Sequence, residues 1–417
     1  MITKSLLDLS VSISSGLTPL RSNSEFWEKG TIPWLKTEQL GEKYIYETNE
    51  HISTKALDQT SIKIFPENSL SIAMYGEGKT RGNLSILRKP MATNQACCNV
   101  VVDHQKADFE YVYYFLKTQY EELRNLSSGV RKNLNSNDIK GYPIRLPEKL
   151  SEQKAIANVL KSLDDKIELN NRINAELEAM AKTLYDYWFV QFDFPDVNGK
   201  PYKASGGKMV YNDTLKREIP EGWSDKTLSQ IANITMGQSP AGSSYNEEGT
   251  GTIFYQGSTD FGWLFPSTRQ YTTAPSRMAK KGDILLSVRA PVGDMNIANT
   301  DCCIGRGLAA LNSKAGSDGF LFYVMKYFKQ IFDRRNSEGT TFGSITKNDL
   351  HSLTLAYPTA DLLEKYDEVV TNYNKMIFER SLENRELVNL RDWLLPMLMN
   401  GQVTVKPSTE SQETLHG

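Results

Sequence analysis

The segment Gly76-Glu77-Gly78-Lys79-Thr80 has the spacing nearest to a nucleotide-binding motif in this chain. A phosphate loop needs a glycine five residues before its Gly-Lys-Ser/Thr end, because the intervening backbone N–H groups cradle the phosphates. That position is Ala73. The sequence therefore predicts that ATP is not bound here and that Lys79 and Arg81 lie on a basic, glycine-containing loop.

Motifs for nucleophilic, metal or redox chemistry are missing from the sequence. The four histidines show no ligand spacing with Cys, Asp or Glu. The four cysteines form the adjacent pairs Cys97-Cys98 and Cys302-Cys303, which match neither a C-x-x-C site nor a disulfide framework. Nucleophile elbows, zinc-protease helices and the Asn-Pro-Pro-aromatic or Asp-Pro-Pro-aromatic string of amino-methyltransferases do not occur. We therefore expect reduced, buried thiols, no metal site and no catalysis by this chain.

Other polar residues suit recognition of a duplex. Arg pairs with guanine edges and Asn or Gln with adenine edges in the major groove. The candidate DNA-binding residues, all in Gly-punctuated loops, are Lys36, Gln39, Lys79, Arg81, Asn94, Gln95, Arg131 and Lys132 in the first half, and Gln256, Ser258, Arg269, Arg277, Arg289, Arg306 and Thr340 in the second. Arg289 and Arg306 lead this set because each follows a predicted strand beside Gly or Pro. A salt bridge within the domain is the alternative for both, and any solvated loop has a similar composition.

An internal repeat organises the elements that carry these residues. The string Gly16-Leu17-Thr18-Pro19 reappears as Gly237-Gln238-Ser239-Pro240, and residues 30–41 reappear without a gap as 251–262. Residues 68–73 match 282–287, and 137–139 with Pro147 match 348–350 with Pro358. The sequence therefore predicts a tandem duplication.

Each half divides into two regions of different composition. Residues 1–150 and 221–360 are rich in Gly, Pro, Ser, Thr and aromatics, with short β-type runs at 69–74, 99–102 and 284–288. We expect each to be a small mixed α/β domain with one amphipathic helix, at 109–126 and 320–335. Residues 191–220 are predicted to be a connecting segment, and residues 402–417 a disordered tail.

A coiled-coil period follows each domain, at 151–190 and 361–401. Ser151 opens the first stretch in the manner of a helix N-cap, and the stretch contains no Gly or Pro up to 189. The predicted seam of the helix pair comprises Ile156, Leu160, Leu163, Ile167, Asn174 and Leu177 in the first stretch and Val370, Ile377, Asn384 and Leu387 in the second. The pattern predicts two long helices that pack on one another. Asn174 and Asn384 take matching positions, where they either fix the register or face solvent at the seam edge.

The composition bounds the class of protein. The chain has 417 residues, 39% of them hydrophobic and 24% charged, which indicates a folded protein of two or three domains. An apolar run of about 20 residues and a signal peptide are both missing, so a cytoplasmic location is expected. The net charge of −2 argues mildly against binding to nucleic acid, although acidic helices can mask basic faces elsewhere.

Several strings together resemble the specificity subunits of type I restriction-modification systems. Those in the first half and at the start of the second domain are Leu150-Ser151-Glu152-Gln153-Lys154-Ala155-Ile156-Ala157, residues 163–170, residues 184–189 and Ile219-Pro220-Glu221-Gly222-Trp223. Those in the second half are residues 282–289, 303–309 and 394–401. The second helical stretch departs from the pattern, since it begins Thr359-Ala360-Asp361-Leu362 without a Glu-Gln pair.

The resemblance implies an α+β fold: two similar α/β target-recognition domains separated by two long antiparallel coiled-coil helices, in a pseudo-two-fold internal repeat. It implies a non-catalytic subunit that binds a bipartite target in double-stranded DNA. The implied partners are two methyltransferase (modification) subunits and the ATP-dependent translocase and endonuclease (restriction) subunits. S-adenosylmethionine, ATP and Mg belong to those partners, and no cofactor or membrane is expected for this chain. The alternative function is a coiled-coil scaffold that does not bind DNA.

Overall fold

A computed structural model describes residues 1–76, 80–126, 133–289, 291–337 and 344–405. They belong to two units, Met1–Glu168 with Asn384–Gly417, and Leu169–Glu383. Each unit combines sheets with helices, which confirms the expected two-domain, mixed helix and sheet fold. The predicted disordered tail falls, from residue 406 onward, outside the described residues.

The first unit is built on strands that are short and rich in β-branched residues. They are β1 (Ile2–Ser5), β2 (Ser10–Ser15), β3 (Ile32–Leu35), β4 (Tyr44–Ile45), β5 (Glu50–Ile52), β6 (Leu70–Ala73), β7 (Leu84–Leu87), β8 (Ala92–Thr93), β9 (Cys97–Val102) and β10 (Pro143–Leu146). The larger sheet has the order β2-β9-β6-β7-β4, and a smaller sheet has the order β5-β3-β8. Every residue of β6 and β7 is buried, so the larger sheet forms the centre of the core.

The helices of the first unit are α1 (Thr54–Gln59), α2 (Phe109–Thr118), α3 (Tyr120–Asn125) and α4 (Ser136–Lys140). Helix α1 packs beside the smaller sheet, where Ala56 is buried with Trp34, Ile52 and Ala92. Helix α2 has seven consecutive buried residues, 110–116, and is capped by Asp108, whose carboxylate accepts from the Tyr111 N–H at 3.0 Å. The prediction of one helix over 109–126 is wrong, because α2 ends before Gln119. There the Thr118 hydroxyl donates to the Phe115 carbonyl and competes with the next helical turn.

Helix α5 (Leu150–Tyr185) follows the first domain and ends in a π-helical turn, Asp186–Val190. The helix already includes Leu150, so the expected N-cap role of Ser151 is wrong. The buried amide of Gln153 connects the start of α5 to its domain instead. It accepts from the Asp108 N–H at 2.9 Å and donates to the Pro147 carbonyl at 2.8 Å.

The second unit repeats the architecture of the first. Its strands are β11 (Met209–Asn212), β12 (Arg217–Pro220), β13 (Ser224–Thr227), β14 (Ala232–Met236), β15 (Tyr245–Asn246), β16 (Thr252–Tyr255), β17 (Tyr271–Thr272), β18 (Met278–Ala279), β19 (Ile284–Ser287), β20 (Met295–Ile297), β21 (Cys302–Ile304), β22 (Leu308–Ser313) and β23 (Thr354–Tyr357). The order β14-β22-β19-β20 reproduces β2-β9-β6-β7, and β16 pairs in parallel with β21 as β3 does with β8. The segment predicted to connect the domains, 191–220, contains the β11-β12 hairpin.

The helices of the second unit are α6 (Leu228–Ile231), α7 (Asp318–Ser337), α8 (Lys347–Ser352) and α9 (Ala360–Met399). Helix α7 covers the helix expected at 320–335. Helices α4 and α8 occupy equivalent positions, and each begins with a capping box, Asn135 with Asp138 and Thr346 with Asp349. This shared cap explains the match between residues 137–139 and 348–350.

Helices α5 and α9 contact one another within each unit. In the second unit, Tyr366 donates to the Ala181 carbonyl, and the Asn170 amide donates to a Glu383 carboxylate oxygen at 2.7 Å. In the first unit, Arg391 donates to Asp164 at 3.0 Å. In the second unit, the contacts move toward the end of α5 as they move toward the start of α9, so the two helices run in opposite directions there.

The predicted seam residues are buried or half-buried. Buried members are Ile156, Leu160, Asn174, Leu177, Val370 and Ile377, and half-buried members are Leu163, Ile167, Asn384 and Leu387. Asn174 is 1% exposed, so it does not face solvent, and its amide nitrogen lies 3.4 Å from the Ser381 hydroxyl. Asn170, a further polar seam residue, is equally buried.

Candidate nucleic-acid interface

Three loops converge beyond the strand ends of the smaller sheet in the first unit. The Leu17 N–H donates to the Thr93 carbonyl, and the Asn94 N–H donates to the Leu35 carbonyl, both at 2.9 Å. These bonds hold the loops after β2, β3 and β8 together. We name the polar residues that these loops carry, Thr18, Lys36 and Gln95, loop cluster 1.

The second unit repeats this convergence with the same backbone bonds. The Gln238 N–H donates to the Ile304 carbonyl at 3.0 Å, and the Gly305 N–H donates to the Tyr255 carbonyl at 2.8 Å. The polar residues at these loops are Ser239, Gln256 and Arg306, which we name loop cluster 2. Both clusters lie at the ends of short strands, where the chain can change its side chains without changing the sheet.

A glycine in each copy permits this close approach. A Cβ on Gly16 would lie 2.1 Å from the Thr93 carbonyl oxygen, and a Cβ on Gly237 would lie 2.1 Å from that of Gly305. Those distances are far below van der Waals contact, and the obstacle is backbone in both cases. The glycine that begins each Gly-x-Thr/Ser-Pro string is therefore a steric requirement of the cluster.

The strand pairing corrects one detail of the sequence repeat. Trp34 pairs with Ala92 as Phe254 pairs with Cys303, so β3 and β16 differ by one residue from the gap-free match of 30–41 with 251–262. The second copy has one extra residue, Gly257, before its 3-10 turn. Lys36 thus corresponds to Gln256, and Gln95 corresponds to Arg306.

A hydroxyl organises the side chains of each cluster. In loop cluster 1, the Thr18 hydroxyl donates to the Gln95 side-chain carbonyl. In loop cluster 2, the Gln256 amide donates to the Ser239 hydroxyl at 2.8 Å, and the Arg306 backbone N–H donates to the same oxygen at 3.2 Å. The Gln95, Gln256 and Arg306 side chains are exposed, so each cluster presents an oriented polar surface to solvent.

The electrostatics of Lys36 differ from those of its neighbours. Its ammonium lies 2.7 Å from carboxylate oxygens of both Glu38 and Glu50, and these contacts raise the pKa of Lys36. Arg21 also binds Glu50 and lies over the Trp27 ring, 3.7 Å from its centroid. The charge of Lys36 is therefore shared with two acidic side chains of its own domain.

Several other candidates take part in local structure. Asn94 accepts from the Ala96 N–H at 3.1 Å, and Gln39 accepts from the Asn49 N–H at 3.1 Å, so both amides shape their own loops. Arg81 is half-buried, unlike the exposed members of the clusters. These positions do not join the loop clusters.

The second-half candidates divide in the same way. Arg269 donates to the buried carboxylate of Asp260 at 3.0 Å, and this ion pair raises the pKa of Arg269. Ser258 starts the adjoining 3-10 turn, Ser258–Asp260, and is half-buried. Arg277 and Arg289 are exposed, and the Arg289 carbonyl accepts from the Ser287 hydroxyl at 2.8 Å.

Four predicted residues, Lys79, Arg131, Lys132 and Thr340, lie outside the described residues. The structure also shows three residues that the candidate set omitted, Thr18, Ser239 and Arg21. The first two stand in the repeated Gly-x-Thr/Ser-Pro string, so their recurrence was a usable signal. No feature of the sequence indicates Arg21. Its contacts with Trp27, Trp34 and Glu50 form only in the folded domain.

The architecture and the loop clusters can be compared with known proteins. The model of the type I restriction modification DNA specificity domain matches residues 3–179 and 220–375. The chain belongs to this family. It is 33% identical over 306 residues to a putative type I restriction enzyme MjaX specificity subunit of Methanocaldococcus jannaschii, covering 71% of this chain and 68% of the relative. It is 27% identical over 421 residues to the MjaIX specificity subunit of that organism, covering 94% and 91%.

A solved structure supports the same assignment at the level of fold. The crystal structure of a type I restriction-modification system S subunit from M. genitalium superposes with a TM-score of 0.62, at 19% identity and with 95% of each chain covered. The predicted family is confirmed, and with it the expectation of a specificity subunit, a recognition component rather than an enzyme. Within the described ranges, no helix has the length and apolar character that a membrane crossing requires. The same ranges contain no group of three or more His, Cys, Asp or Glu residues placed to hold a metal ion.

Proposed function

We propose that this specificity subunit binds a bipartite DNA target, with one half-site read by each of the domains 1–150 and 221–360. The observation that carries the proposal is the equivalence of the two loop clusters. Identical backbone bonds form them, while the side chains differ: Lys36 corresponds to Gln256 and Gln95 to Arg306. A fixed frame with exchangeable polar side chains is what two different half-sites would require.

The chemistry of the exposed residues suits direct readout. Gln95 and Gln256 carry amides that can pair with the N6 and N7 atoms of adenine, and Arg306 carries a guanidinium that can pair with O6 and N7 of guanine. In each cluster the hydroxyl of Thr18 or Ser239 fixes part of this geometry before DNA arrives. Such preorganisation lowers the entropy lost on binding.

The α5-α9 pair would fix the unread gap between the half-sites in this mechanism. Two modification subunits would then dock on the specificity subunit and methylate adenine within the target, using S-adenosylmethionine after base flipping. Restriction subunits that use ATP and Mg would join the same complex. Family membership supports these partners and cofactors as part of the proposal, and the chain itself would bind none of the cofactors.

A domain exchange tests the modular part of the proposal. Replacing residues 221–360 by the matching domain of a relative should change one half-site and leave the other and the gap unaltered. Methylation mapping of host DNA that carries the chimaera and its methyltransferase reports all three quantities. Simultaneous change of both half-sites contradicts the modular mechanism, and lack of binding to any duplex, with or without a methyltransferase, favours the alternative of a scaffold that does not bind DNA.

A single substitution tests loop cluster 2 within the intact subunit. Arg306→Ala should lower affinity by about 1 to 3 kcal/mol and relax one base position if the guanidinium reads a base, whereas loss of a phosphate contact would weaken all sequences alike. Arg289→Ala gives the same comparison at the second leading candidate. Lys203→Ala, an exposed cation of the connecting segment, is the matched control. Unchanged DNA affinity in both arginine variants removes the support for this interface.

A further inference from the structure

The first unit contains a buried ionic network where its domain meets both long helices. Lys43, which precedes β4, places its ammonium 2.9 Å from a Glu110 carboxylate oxygen on α2 and 3.4 Å from an Asp164 oxygen on α5. The Lys43, Glu110 and Asp164 side chains are 11%, 6% and 13% exposed. Arg391 of α9 binds the other Asp164 oxygen at 3.0 Å. The positive charges of Lys43 and Arg391 thus match the negative charges of Glu110 and Asp164 at this junction.

Two tyrosine hydroxyls extend the network. Tyr114 accepts from the Lys43 ammonium at 2.7 Å and donates to Asp164 at 2.5 Å. Tyr44 donates to Glu110 at 2.7 Å. Burial and the neighbouring carboxylates raise the pKa of both phenols, so each keeps its proton and donates. The domain, α5 and α9 are therefore joined by directional bonds in a site largely screened from water.

The second copy has no charged residue at the corresponding positions. Lys43 corresponds to Leu264, whose carbonyl accepts from the next strand in the same way. The first helical bonds of α2 and α7 start from Asp108 and Ser317, so Glu110 corresponds to Gly319 and Tyr114 to Tyr323. The Tyr323 hydroxyl is buried without a hydrogen-bond partner among the described residues. An ion pair does join α7 to α5 there, between Lys326 and Glu178, but each side chain remains more than a quarter exposed.

A largely apolar cavity lies at the equivalent place in the second unit. It has a volume of about 500 Å³, and its lining includes Leu264, Tyr323 and Phe378 together with the charged Asp367 and Lys375. Apolar contacts beside a cavity are not directional, and close packing is what normally restricts small shifts. Charge-assisted hydrogen bonds, in contrast, weaken steeply when distance or angle changes.

We propose that Lys43, Glu110 and Tyr114 are positioning residues that lock the first recognition domain onto the α5-α9 pair and thereby make the subunit selective for one gap length. This inference rests on the proposed function. The network touches no base in this mechanism. It acts on where the first half-site is presented, so its loss should broaden the accepted gap without changing the bases that are read.

A triple variant tests the network. Lys43→Leu, Glu110→Leu and Tyr114→Phe together remove both charges and the hydroxyl, and they leave Asp164 paired with Arg391, so no carboxylate of the network is stranded. Tyr114→Phe is the milder variant, because it removes one hydroxyl and retains the ring. Lys55→Gln with Glu25→Gln, an exposed ion pair of the same domain, is the control.

Methylation mapping of host DNA, with each full-length subunit in complex with its methyltransferase, measures the preference for the original gap over gaps one base pair longer or shorter. We expect this preference to fall by about tenfold in the triple variant, less in Tyr114→Phe and not at all in the control. Half-site sequences should stay the same in every variant. If the folded variants keep the original preference, or if half-site bases change instead of gap length, the positioning role is wrong. If the unaltered subunit directs methylation to no bipartite site, the proposed function itself fails.

Discussion

Inserting four residues into each long helix should lengthen the gap between the half-sites. The matched insertion points follow Asn170 in α5 and Leu382 in α9, because the Asn170 amide meets the Glu383 carboxylate across the pair. Four residues add about 6 Å of helix and a right-handed turn of roughly 40°. Duplex DNA rises about 3.4 Å per base pair, so the added length corresponds to just under two base pairs.

The added rotation gives a second estimate. Duplex DNA turns about 36° per base pair, given ten base pairs in a turn of ~34 Å, so 40° corresponds to one base pair. We therefore expect the gap to grow by one or two base pairs while both half-sites keep their bases. Inserting seven residues in each helix keeps the heptad phase and should add about 10.5 Å, close to three base pairs.

Methylation mapping with the partner methyltransferase measures both the gap and the half-sites. A four-residue insertion after Gly199, at an exposed turn of the connecting segment, is the control and should leave the gap unchanged. If both helix-insertion mutants remain active on the original gap, then α5 and α9 do not determine the spacing, and the mechanism should be abandoned.

Two further predictions concern stability and reactivity. Burial raises the pKa of Cys97 and of Cys302 to about 12. In urea these thiols have the ordinary pKa of about 8.5. At pH 8 the two native thiols should therefore react with iodoacetamide about a thousandfold more slowly than the unfolded ones. Equal rates, followed by mass spectrometry, would contradict this burial. Asn174→Leu should raise the free energy of unfolding by about 1 kcal/mol, because the Asn174 side-chain oxygen is buried without a hydrogen-bond partner among the described residues. Asn170→Leu should lower it by about 1 to 3 kcal/mol, because it removes the bond to the Glu383 carboxylate. Urea denaturation compares the two variants, and a similar loss of stability in both would show that the two amides are not distinguished by their partners.

The long helices could be predicted from sequence because their signal is local and repeated. Each heptad brings apolar residues to the same face, so the periodicity survives single polar positions such as Asn170 and Asn174. The helix starts were less predictable. Ser151 has the residue type of a cap, yet Gln153 makes the bonds that join α5 to its domain, with atoms of Asp108 and Pro147. Those partners are set by the tertiary fold.

The sequence predicts part of the candidate site. Residue type and Gly-punctuated loops indicate Gln95, Gln256 and Arg306, and Arg306 also follows a predicted strand. Their grouping with Thr18 and Ser239 was not visible, because 77 residues separate Thr18 from Gln95 and 67 separate Ser239 from Arg306. The spacing along the chain carries no information about contacts that the sheet register creates.

The sequence does not predict the ionic network of the first unit, for a different reason. Charged residues in a sequence are expected at the surface, and Lys43, Glu110 and Asp164 lie on three separate elements. A sequence repeat draws attention to positions that agree between the copies, whereas this junction differs between them. Leu264 and Gly319 give no hint that their counterparts are charged.

The duplication separates two kinds of constraint in this subunit. Backbone geometry is shared by the copies wherever a steric limit applies, as at Gly16 and Gly237, where a Cβ would meet a carbonyl oxygen. Side chains differ at other positions, as at the pairs Gln95/Arg306 and Lys43/Leu264. The first pair faces solvent, where the target would lie, and the second faces the domain's contact with the helices. Because the two positions lie on different elements, the proposed base readout and the attachment of the domain could change independently. The proposed recognition of two different half-sites across one defined gap would require that independence.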